Sequence, residues 1–268
     1  MTIRMCLGSL VALLAVSCGD ATSLMTWNQY KGSPHRWPYV VQAFANRGAS
    51  LFYFGAQHTY DPRDEQMAQL EAAWNRVTPT LAFNEGGDPP VVSARDDEIR
   101  QYGEAGLVRW LAARDRVRVE PLDLSRREQA QALLRRWPAA SVKIFLIQRA
   151  LLSCEDRADC DREKEVTRIL PIIDTSAGLG GTAPHNWRQF QDNVKRIAPV
   201  DGSHRALFDP TRDGHLFNDM ARHVEDVRDR HMIAVLLGAL RRGERVFAVA
   251  GGSHVVRQER ALRSGAQP

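Results

Sequence analysis

Two tetrads of the same form stand near opposite ends of this 268-residue chain, Gly55-Ala56-Gln57-His58 and Gly251-Gly252-Ser253-His254. Each closes a short apolar run, Ala49–Phe54 or Arg245–Ala250, of the kind that makes a buried strand. Glycine lets the chain turn tightly as it leaves a strand, so the histidine three residues later points over the sheet edge. In an open parallel sheet, ligands gather beyond the carboxyl ends of the strands, and two imidazoles there are candidate functional groups. Carboxylates follow two further runs, as Glu85 in Phe83-Asn84-Glu85-Gly86 and as Glu120 before Pro121. An acid in such a position pairs with a charge, binds a metal, or caps a loop or helix. One cation is also out of place. Val224, Arg228, Met232 and Val235 share a face of a helix expected over 222–240, so Arg228 interrupts an apolar stripe while Asp229 and Arg230 are expected to point elsewhere. Arg228 would meet a buried carboxylate or a bound anion, the alternatives being a pair with Glu225 or a snorkelling side chain. The chemistry open to such a set is water activation, by an imidazole itself or by a divalent ion that lowers the pKa of its water.

The elements that must position these groups alternate. Asp61 as N-cap and Pro62 at the first helical position predict a helix carrying Met67, Leu70, Trp74 and Val77. Thr80–Phe83 predicts a second strand, broken by Gly86-Gly87 and Pro89-Pro90, and Val117–Val119 a third, ending in Glu120-Pro121-Leu122-Asp123. Ser125 with Glu128 forms a capping box for the next helix, and Gly243 stops the helix over 222–240. Strands separated by helices imply an α/β fold, a mostly parallel central sheet flanked by helices. Residues 139–220 read as a helical insertion: one helix with Val142, Phe145, Leu146 and Leu152, and another with Val166, Ile169, Leu170 and Ile173, kinked or ended near Pro171. A third, capped by Thr182, carries Trp187, Phe190, Val194 and Ile197. The insertion is a candidate lid, or packing.

Hydrophobic residues make up 44% of the chain and charged residues 25%, which excludes disordered and low-complexity classes. The net charge of +4 is spread along the chain with acids between, so no nucleic-acid partner is expected. Residues 1–17 read as a bacterial export signal, with Arg4 ahead of the apolar run Leu7–Val16. Ala15-Val16-Ser17-Cys18 resembles a lipobox, which implies lipidation at Cys18 and a membrane-anchored lipoprotein of the cell envelope facing the periplasm or exterior. Residues 18–34 then form a polar tether or cap, and residues 35–268 one α/β domain. Cys154 and Cys160 are the two cysteines left for that domain, and in an oxidising compartment they predict a short-loop disulfide.

With a GxxH at the first strand, Glu85 at the next, Arg228-Asp229-Arg230-His231-Met232 on a helix and a second GxxH after the last strand, the chain resembles the TraB/Tiki group. That group shares a superfamily with ChaN-like haem-uptake lipoproteins and erythromycin-esterase-like hydrolases. The resemblance runs from about Ala49 to Gly265, with Ala56-Gln57 and Val255 departing from the usual residues. It implies a divalent metal (Mn, Co, Zn or Fe) on His58, Glu85 and His254, with cleavage of a small-molecule or peptide substrate at a peptide, amide or ester bond. Glu120 would then be the general base, and Arg228 would bind a substrate carboxylate or an oxyanion. Without metal, His58 itself would activate water, as in the esterase-like relatives. The alternative is a non-catalytic haem- or metal-binding lipoprotein with His58, Tyr53 or Tyr60 as ligands.

Overall fold

The computed structural model describes residues 24–86, 91, 94–155, 160–197 and 204–267. Among these, the strands in chain order are β1 (Tyr39–Phe44), β2 (Ser50–Ala56), β3 (Leu81–Asn84), β4 (Arg118–Pro121) and β5 (Arg245–Gly251). They form one sheet in the order β1-β2-β5-β3-β4, in which only the β1–β2 pair is antiparallel. The expected α/β architecture is therefore present. Residues 1–17, Cys18, Gly87 and Pro89-Pro90 lie outside the described residues. No described helix is long and apolar enough to cross a membrane.

The central strands are apolar on both faces because helices cover both. On one face Leu51, Tyr53, Leu81, Phe83, Val246 and Ala248 pack against α9 (Leu216–Arg241) and α10 (Gly252–Ala266). On the other, Phe52, Ala82, Phe247 and Val249 pack against α2 (Glu65–Val77) and α3 (Arg95–Asp115). A third core holds the insertion together through Val142, Phe145, Ile169, Phe190 and Phe217. Its helices are α5 (Ala139–Glu155), α6 (Arg162–Ser176), α7 (Trp187–Ile197) and the short α8 (His204–Leu207); α4 (Arg126–Leu134) precedes them.

Several local expectations hold and others shift. The Ser125–Glu128 capping box starts α4, and Pro171 lies inside α6 rather than at its end. The cap of α2 is Asp64, not Asp61, because Asp61 instead turns back to accept the Arg63 N–H at 3.0 Å. Asn186, rather than Thr182, accepts the Gln189 N–H at the start of α7. Strand β1 has no counterpart among the expected elements. It is a short edge strand in which burial alternates from Val41 on but residue polarity does not, since Phe44 stands at an exposed position. Within 18–34, Trp27–Gly32 forms helix α1, capped by a Thr26–Gln29 box. Its Trp27 is buried under Arg257, whose Cζ lies 3.7 Å from the ring centroid. Cys154 and Cys160 are disulfide-bonded, and closing so short a loop contributes about 2 kcal/mol.

Candidate functional site at the strand ends

Parallel pairing of β2 with β5 sets Gly55 opposite Ala250 and Ala56 opposite Gly251, so the two tetrads leave the sheet side by side. Their glycines are required by close approach, not by backbone conformation. Neither Gly55 nor Gly251 has positive φ. A Cβ on Gly55 would stand 2.9 Å from the Tyr39 carbonyl oxygen, and one on Gly252 would overlap the Trp37 ring. A Cβ on Gly251 would meet His58 Nε2 at 2.9 Å and Glu85 Oε2 at 3.5 Å. The imidazole of the first tetrad and the carboxylate from the end of β3 thus converge over the backbone of the second.

His254 sits in the first turn of α10 and is 5% exposed. Its Nδ1 lies 2.6 Å from Asp229 Oδ1, and its Nε2 lies 3.4 Å from Glu225 and 3.6 Å from Glu85. Burial opposes its charged form, but Asp229 and Glu85 outweigh burial and push its pKa up to about 10. His254 is thus an imidazolium at neutral pH. Arg228 stands beside it, donating to Asp123 at 2.7 to 3.0 Å, to Glu225 at 2.5 Å and to Glu85 at 2.5 Å. Burial raises the Glu85 pKa, but His254 and Arg228 overcome this and hold it well below the usual carboxylate range. The second Glu85 oxygen accepts the Gly251 N–H at 2.7 Å.

His58 has a different setting. Its side chain is 62% exposed, and its Nδ1 lies 3.4 Å from Glu104 Oε2. Glu104, on α3, is itself buried and accepts the Thr59 N–H at 2.8 Å through its other oxygen. The hydrogen bond to Glu104 raises the His58 pKa, with burial opposing. His58, Glu85 and Glu104 line a cavity of about 310 Å³ with Ala56, Tyr102 and Arg109, a volume at the small end for ligand sites.

Four residues singled out in the sequence therefore meet: His58, Glu85, Arg228 and His254. Glu120 does not join them. Strand β4 continues through Pro121, which puts Glu120 in register with Phe83 on the sheet edge, where it pairs with Arg118 at 3.1 Å. Asp123, just past the strand, takes the place expected of Glu120. Asp229 does not point away either. It is fully buried, held between His254, Arg257 and Gln258. The Arg228–Glu225 pair, the alternative reading, forms together with the contacts to Glu85 and Asp123, not instead of them. The metal role also fits poorly. Both Glu85 oxygens are engaged, by Arg228 and by Gly251, and both nitrogens of His254 face carboxylates. Among the described residues no group of three or more His, Cys, Asp and Glu is placed to hold a metal. Tyr53, a candidate haem ligand, is fully buried on the opposite sheet face against Met232, while Tyr60 lines the cavity and is 61% exposed.

The fold and the strand-end cluster define an α/β protein with a polar site at the carboxyl edge of its sheet. Compared with known proteins, the chain matches no family model, no curated protein and no solved structure.

Proposed function

We propose that this chain is a hydrolase that cleaves a peptide, amide or ester bond, with His58 as general base, in the manner the resemblance implies for the esterase-like relatives of the TraB/Tiki group. The observation that carries this is the Glu104–His58 pair at the cavity, its Nε2 side converging with Glu85 over Gly251. Water held between His58 Nε2 and Glu85 Oε2 would give one proton to the imidazole while its oxygen bonds to the carbonyl carbon. The imidazolium, stabilised by Glu104, then returns that proton to the leaving nitrogen or oxygen as the bond to carbon breaks. Glu85 stays ionised and orients the water. Arg228 is 4% exposed and occupied by three carboxylates, so it positions Glu85 rather than touching substrate. His254 does the same from the other side.

The test is turnover of p-nitrophenyl esters and amino-acid p-nitroanilides by the purified chain; no turnover above the His58→Ala background on either class retires the proposal. The base form of His58 must be present for activity, and its pKa is raised above 6.5 by Glu104. The rate therefore climbs with pH through a midpoint above 6.5. In Glu104→Gln the carboxylate that favours the imidazolium is gone, so the midpoint moves to lower pH while the maximal rate falls. A midpoint that stays put in this variant shows that Glu104 does not tune His58.

Envelope anchoring through a lipid on Cys18 belongs to the same proposal. Labelled palmitate incorporated by the wild type and not by Cys18→Ala supports it, and equal incorporation by both contradicts it.

A further inference from the structure

A break in α3 shapes one wall of the cavity beside His58. Gly103, inside that helix, has φ 60° and ψ −140°, far from helical values. A Cβ there would stand 2.8 Å from the Thr59 carbonyl oxygen and 3.8 Å from Tyr60 Cδ1, so this left-handed turn against the loop that carries His58 requires glycine. Residues two apart on an unbroken helix stand about 200° around its axis and do not face one another. The break at Gly103 lets Tyr102 and Glu104 line one cavity, together with Ala105. Backbone outliers of this kind gather at functional sites. Glu104 is accounted for by His58 and the Thr59 N–H, which leaves Tyr102.

Tyr60 and Tyr102 both line the cavity and both are accessible, Tyr60 being 61% exposed and Tyr102 half-buried. The Arg109 guanidinium, 4.3 Å from the Tyr102 ring centroid, is buried and paired with Glu98, so its charge is met within α3. The sheet adds Ala56 and Val249, from the face that α2 and α3 cover. Small or apolar side chains thus surround the two tyrosines. Glu85 and Glu104, the carboxylates on the cavity, disfavour an anion. An aromatic ring set edge-on or offset against another ring gains more than its apolar area alone provides. A volume of about 310 Å³ suits one ring-sized group rather than a large ligand.

We propose that the cavity selects an uncharged substrate carrying an aromatic ring beside the scissile bond, with the ring held by Tyr60 and Tyr102. This substrate class rests on the hydrolase proposal only for the bond that is cut; binding can be read without turnover. The probes are ketones, which keep a carbonyl and have no leaving group: phenylacetone, cyclohexylacetone and acetone, with phenylacetate as the charged analogue. Each is titrated calorimetrically into the wild-type full chain. Phenylacetone binds at least tenfold more tightly than acetone or phenylacetate, and about two- to tenfold more tightly than its saturated counterpart. Tyr60→Leu shrinks the advantage over cyclohexylacetone without lowering the melting temperature, because the side chain it replaces is 61% exposed. Ala105→Leu fills the cavity from α3 and weakens phenylacetone at least tenfold while acetone is unchanged. Equal affinity for phenylacetone and cyclohexylacetone, phenylacetate bound as tightly as phenylacetone, or no binding at millimolar concentration overturns the proposal. So does phenylacetone binding that neither variant alters. Ring-selective binding without turnover of the p-nitrophenyl esters and p-nitroanilides retires the hydrolase proposal alone, and turnover without ring selectivity retires this one alone.

Discussion

Exchanging His58 for alanine lowers turnover by about two to four orders of magnitude, the range for loss of a positioned general base. The same change leaves thermal stability nearly untouched. The His58 side chain is 62% exposed, and its hydrogen-bond partner among the described residues is Glu104, which keeps the Thr59 N–H when the imidazole is gone. His254 behaves differently although its tetrad is the same. His254→Ala removes a buried cation from among Asp229, Glu225 and Glu85, so activity and stability fall together. Steady-state rates and melting curves on both variants check this. A His58→Ala protein with wild-type turnover, or one that melts as low as His254→Ala, contradicts the division of roles.

The largest loss of stability comes from Arg228→Met. This side chain is the shared counter-charge of Glu85, Asp123 and Glu225, and it is almost wholly buried. Breaking a buried ion pair by removing one partner costs about 3–5 kcal/mol, against a total of about 5–15 kcal/mol for an ordinary domain. The sign with pH follows from the carboxylates. In the wild type Arg228 helps hold Glu85 and Glu225 ionised, with their pKa values lowered, so this stability is present at neutral pH and is lost as pH falls through those values. In Arg228→Met the buried acids prefer the protonated form, so acid relieves them. The gap between variant and wild type is therefore wide at pH 7 and narrower at pH 5. Urea unfolding at the two pH values measures it. An equal gap at both would show that packing, not charge, accounts for the loss. Arg228→Lys restores a charge but not the fork that reaches three carboxylates, and it recovers only part of the stability.

The two histidine tetrads, Glu85 and the misplaced Arg228 were legible before any coordinates because each breaks a local pattern: a polar group directly after an apolar run, or a cation on an apolar helix face. Asp229 breaks no such pattern. On α9 alone it faces away from the Val224–Met232 stripe, and only α10 lying alongside turns that side of the helix into interior. Glu104 gave no signal at all, since a glutamate in a helix ordinarily faces water. Its burial depends on α3 covering the sheet beside His58. The difference between Glu120 and Asp123 is one of strand length, which β3 decides by pairing with β4 through Pro121.

From its residues alone the chain determined an alternating α/β order, a helical insertion and which groups leave the strands. These are local matters of periodicity, turn chemistry and capping. The tertiary structure decided which groups touch. The β2–β5 pairing joins residues nearly two hundred positions apart, and the charge network needs α3, α9 and α10 in place around that sheet edge. Contacts across such distances are fixed by the burial of whole faces, and no short stretch of sequence encodes them.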